Sequence, residues 1–84
     1  MSMNTRKRIQ AVAATVTHQG RKVHGSVAQF GTRNPTYHVR ILQNRLRYAE
    51  AVLAALKGAG FRARLREHIP HAGAFGAAYI QIEG

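Results

Sequence analysis

Arg62, Arg64 and Arg66, at alternate positions in "FRARLREH", are the residues whose type and spacing point most directly to chemistry. That chemistry is anion recognition. A strand turns successive side chains to opposite faces and rises roughly 3.3 Å per residue, so the three guanidiniums stand about 6.6 Å apart along one face. His68 extends the row, while Phe61, Ala63 and Leu65 take the other face. A row of like charges repels itself unless something anionic lies across it. The planar guanidinium fork suits phosphate or carboxylate better than an ammonium does.

The whole chain has the same bias. Its 84 residues carry thirteen Lys and Arg, ten of them Arg, against three Glu and no Asp, for a formal net charge of +10. One-sign charge on that scale works against compactness, and a polyanionic partner is the usual compensation. The expected organisation is a basic N-terminal arm over residues 1–8, with Arg6, Lys7 and Arg8, followed by a single α+β domain over residues 9–84. Without cysteine, neither a disulfide framework nor a thiolate metal site is available, which fits the cytoplasm. The start "MSMNTRKRIQAVAATV" is too short and too broken in its apolar run for a signal peptide. No stretch approaches the roughly 18 apolar residues of a membrane helix, so no membrane partner is expected.

Little here supports catalysis, and the expectation is a non-enzymatic protein with no cofactor and no metal. Three glutamates leave few groups for acid–base work, and the serines are Ser2 and Ser26 alone. Ser26 shares an expected strand face with His24, but no acid is placed by sequence to orient that histidine. His68 and His71 in "HIPH" lie three apart, a spacing more often incidental than metal-binding. Gly73 and Gly76 belong to a loop and lack phosphate-cradle spacing.

The elements that must position the arginines follow from periodicity and punctuation. Residues 9–18 fit two templates. Ile9, Val12, Ala13 and Val16 follow a helical repeat, whereas a tight turn centred on Gly20 and Arg21 would pair His18 with Val23 and Val16 with Gly25. The hairpin sorts Val12, Ala14, Val16, Val23 and Val27 to one face and is the preferred reading. After "GTRNP", residues 36–42 alternate as a strand, with Tyr37, Val39 and Ile41 opposite His38 and Arg40. The alternative, one helix from Pro35 onward, would run about 36 Å, longer than so small a domain covers. Asn44 should instead cap a helix over residues 45–57 that buries Leu46, Ala49, Leu53 and Leu56, and "KGAG" ends it.

The Arg strand, the loop "IPHAGAFG" and a last strand "AAYIQIE" complete the chain, with Ala78, Ile80 and Ile82 alternating against Tyr79, Gln81 and Glu83. The passage from Tyr37 to Leu65 resembles the strand–helix–strand unit of many ferredoxin-like and peptidoglycan-binding repeat domains, a pattern shared too widely to name a family. Strand, helix, strand implies a right-handed crossover between parallel strands, with the last strand returning as a hairpin. The predicted fold is α+β: a small mixed or antiparallel sheet, β-β-β-α-β-β, with one helix packed on one face.

That leaves the other face open. Arg62, Arg64, Arg66 and His68 are expected there, joined by His38 and Arg40 and by Tyr79, a set able to grip phosphates and stack a base. Arg21 and Lys22 at the hairpin tip, Arg33 in the loop and the Arg6–Arg8 run extend the positive field. The expected partner is nucleic acid, DNA or RNA, or an acidic or nucleoprotein surface. An inhibitor or accessory protein of the phage or mobile-element type, docking on a larger complex, is the alternative. Ala11, Ala13, Ala28 and Phe30, expected on the same side, leave room for a homodimer.

Overall fold

The computed structural model describes residues 4–68 and 77–83, and the side chains of all of these except 43, 44, 67, 68 and 77. It contains α1 (Thr5–Ala14), a two-stranded ribbon of β1 (Thr17–His18) and β2 (Arg21–Lys22), then β3 (His24–Phe30) and β4 (Thr36–Ile41). A 3-10 helix (Gln43–Tyr48), α2 (Ala49–Gly58), β5 (Arg62–His68) and β6 (Ala77–Glu83) follow. The α+β class and the sheet with helix on one face are as expected. The expected loop over residues 69–76, with His71, Gly73 and Gly76, lies outside the described residues, as do the side chains of His68 and of Asn44.

The first expected strand is a helix. Asn4 caps it, its side chain accepting a hydrogen bond from the Lys7 backbone N–H at 2.8 Å. Three alanines in "AVAA", Ala11–Ala14, favour the helix, whose inner face carries Ile9 and Ala13 into the core at no exposure. Both templates fitted this stretch, and the capped helix prevailed because it buries Ile9, which the hairpin register did not use. A hairpin does exist further on, but it is only two residues long and its turn centres on Gln19 and Gly20, pairing His18 with Arg21. Gln19 at φ 52 and Gly20 at φ 76 give the doubly left-handed turn whose twist suits adjoining strands.

The second helix also departs from expectation. The chain enters a 3-10 turn at Gln43, and Arg45 (φ −129, ψ 25) breaks the helical path. Residues before Ala49 are therefore out of phase with α2, so Leu46 is 38% exposed rather than buried. The buried face is Ala49, Val52 and Leu56, with Leu53 half-buried. The helix ends as the glycines implied. Gly60 takes φ 92, its N–H donates to the Lys57 carbonyl at 3.0 Å and the Phe61 N–H to that of Leu56 at 3.1 Å, the Schellman pattern.

The four-stranded sheet has the order β3-β4-β6-β5, and every neighbouring pair is antiparallel. β4 and β5 do run parallel, as the crossover required, but β6 lies between them. The sheet is thus antiparallel rather than mixed. α1 packs against β3 and α2, and α2 against β5 and β6, so both helices lie on one side. The core between the layers is Ile9 and Ala13 from α1, Val52 and Leu56 from α2, and Val39, Ile41, Ile80 and Ile82 from the two central strands, all fully buried. With that side filled, the alternation of each strand sends the other half of its residues to the opposite face.

Candidate nucleic-acid interface

Strand register fixes which open-face residues are neighbours. Across the sheet, Phe30 pairs with Thr36, Thr36 with Glu83 and Glu83 with Arg62. The next row holds Ala28, His38, Gln81 and Arg64. In the third, Arg40 pairs with Tyr79 and Tyr79 with Arg66. Arg62, Arg64 and Arg66 are all exposed along the β5 edge, and Arg40 is exposed on the far side of β6. The sequence therefore placed Arg62, Arg64, Arg66, Arg40, His38 and Tyr79 on one surface, and the register brings them together. Glu83 is the single acid paired into this face among the described side chains.

An aromatic line crosses the same face. Phe30, His38 and Tyr79 occupy diagonal positions on β3, β4 and β6, and their rings meet with centroids 4.6 Å apart at both steps. Diagonal neighbours on adjacent strands stand about 7 to 8 Å apart at the backbone, a gap that rings close and small side chains do not. Phe30 is 53% exposed at one end of the line. Tyr79, at the other end, sits between two arginines. From sequence Phe30 belongs only to a possible self-association surface and His38 to the basic set, whereas the structure joins the two rings in one line. The clue was "FGTRNPT", since a tight loop pairing Phe30 with Thr36 places His38 diagonally from Phe30.

The outlying cations fall elsewhere. Arg21 and Lys22 are exposed on the short ribbon, which is tied to the 3-10 helix by a 2.7 Å hydrogen bond between the Tyr48 hydroxyl and His18 Nδ1. Arg33 is exposed in the β3–β4 loop. Arg6, Lys7 and Arg8 are exposed on the first turns of α1, in the helical layer. Arg8 reaches the sheet edge, its guanidinium 5.4 Å from the centroid of the Phe61 ring. There it lines a shallow pocket of about 510 Å³ with Thr5, Phe61, Arg62 and Glu83. Ala13, expected on the open face, is buried in α1. Ser26 is exposed while His24 is buried at 6%, so the two serve different surroundings, and a register shift separates His24 from Val27.

Two histidines are held neutral by the fold. Burial, and then the charge of Lys22, keep His24 below the ordinary histidine value of 6.5, and its Nδ1 is buried without a hydrogen-bond partner. Burial, and then Arg66, do the same for His38. Well above pH 6.5 both are neutral whether the chain is folded or not, and their contribution to stability is constant. As pH falls through 6.5 the unfolded chain takes up protons that the native state refuses until lower pH, so stability declines across that interval. Urea midpoints at pH 7.5, 6.5 and 5.5 should fall in that order, and equal midpoints would contradict the assignment.

No helix among the described residues is long and apolar enough to cross a membrane. Among the same residues no cluster of three metal-ligating side chains forms. Compared with protein-family models, curated proteins and solved structures, the chain finds no match. The surface chemistry is thus the ground for a functional reading.

Proposed function

We propose that this protein binds nucleic acid without catalysis, in the cytoplasm, through the open face of its sheet. One observation carries the reading: three exposed arginines stand at alternate positions of an edge strand, beside a continuous line of aromatic rings on the same face. Phosphates laid along β5 relieve the repulsion within the row. Rings alongside offer apolar faces to bases. Phosphate contacts position a ligand without reading its sequence, so the binding is expected to be broadly sequence-tolerant. Arg33 in the β3–β4 loop and Arg8 beside Arg62 extend the positive field along the same sheet end, and no bound cofactor is needed for any of these contacts.

The test is a titration of labelled oligonucleotide with the protein over a range of salt. Log affinity should fall linearly with log salt, with a slope of magnitude about 2 or more if three phosphates are engaged. Failure to bind any oligonucleotide at low salt would defeat the reading and leave docking on an acidic protein surface as the account of the same residues.

A further inference from the structure

We infer that the ligand of this face is a single strand rather than a duplex, with one base stacked on Tyr79 and the phosphates on either side of that nucleotide taken by Arg40 and Arg66. The inference rests on the nucleic-acid reading above and adds the form of the ligand. Its starting point is the third row of the open face. Tyr79 on β6 is directly paired with Arg40 on β4 and with Arg66 on β5. Strands are spaced about 4.8 Å apart, so the two arginine backbones lie about 9.6 Å apart with the ring midway. Cation, ring, cation is the order in which a single strand presents phosphate, base and phosphate.

The aromatic line strengthens the choice. In a duplex the faces of the bases are stacked on one another, and only base edges and backbone reach a protein. Rings displayed on a sheet would have nothing to contact there. Unpaired bases do offer their faces, and aromatic platforms beside a basic track are the means by which single strands are held. From Tyr79 the line continues through His38 to Phe30, each step 4.6 Å between centroids, giving neighbouring bases further apolar surface. A duplex could engage the Arg row alone and would leave a 53% exposed phenylalanine facing water.

Labelled twelve-nucleotide single strands, one of deoxythymidine and one of uridine, and a mixed-sequence duplex of equal length test the idea at fixed salt. Whichever sugar binds more tightly, the single strand should exceed the duplex by at least tenfold. Tyr79→Ala should weaken single-strand binding about 5- to 150-fold, the worth of one stacked base, and leave duplex binding and the salt slope unchanged. Tyr79→Phe, which keeps the ring, should retain the single-strand affinity. Phe30→Ala, at an exposed position on an edge strand, should weaken the single strand alone. Equal affinity for duplex and single strand, or equal losses for both in Tyr79→Ala with a folded far-ultraviolet spectrum, would overturn the inference while leaving nucleic-acid binding intact. If neither form binds at low salt, the nucleic-acid reading itself fails, and this inference with it.

Discussion

Replacing Arg62, Arg64 and Arg66 together by Ala should remove about 2 to 3 units from the slope of log affinity against log salt. Each phosphate contact releases condensed counterions and contributes roughly 0.7 to 0.9 to that slope, so three contacts are read directly in the difference. Near 0.15 M salt the same term is worth about a hundredfold in affinity, and it shrinks toward zero as salt approaches 1 M. The loss should be the same for unrelated sequences, since phosphates carry no base information. Because all three side chains are exposed and point away from the core, the fold should survive, with stability unchanged or slightly raised as self-repulsion is relieved. A folded triple variant that keeps both affinity and slope would remove the Arg row from the interface.

The complementary change lies on the neighbouring strand, on the opposite side of the sheet. Ile80 on the central strand β6 is fully buried, paired with Val39 on β4 and Leu65 on β5. Ile80→Ala leaves a cavity that the rigid strands on both sides cannot close, at a cost of about 2 to 5 kcal/mol. For a domain of this size that is a large part of the total stability, typically about 5 to 15 kcal/mol. The urea midpoint should drop sharply with little change in slope, and nucleic-acid affinity should persist wherever the protein remains folded. A midpoint within error of the parent protein would place Ile80 outside the core. Ile80→Ala and the arginine substitutions thus separate the two faces of one sheet, one by stability and the other by salt dependence.

How far this arrangement can be foreseen from residue types differs by element. β4, β5 and β6 each alternate cleanly, because one face meets helices and the other meets water, so His38, Arg40, Tyr79 and the Arg row could be assigned to a common surface without knowing the strand order. α1 could not be settled in that way. Small and β-branched residues from Ile9 to Val16 satisfy the periods of both helix and strand, and the deciding contributions, the Asn4 cap and the burial of Ile9 against β3 and α2, depend on tertiary neighbours. Leu46 departs from expectation for a related reason: a 3-4 repeat assumes one continuous α-helix, whereas the chain up to Tyr48 winds as a 3-10 helix, so Leu46 does not share the phase of α2. The aromatic line was hidden because it spans three strands. His38 meets Tyr79 only because β6 enters between β4 and β5, and a two-residue slip in the β3–β4 or the β4–β6 pairing would dissolve the line.

The interposed β6 also dictates the order in which this chain can fold. On a ribosome β4 and β5 emerge first, and neither has the other as a partner; the strand that joins them is synthesised later than every other described element. β4 must wait for a segment some forty positions further on, and pairings that distant close slowly because the loop entropy is lost before any contact repays it. Until β6 inserts, the nascent polypeptide offers two unsatisfied inner strand edges and an uncovered apolar layer, the features that chaperones recognise and aggregates exploit. Completion of the sheet therefore waits on β6. Shortening the protein by a few residues within β6 would not trim an edge but split the sheet down its middle.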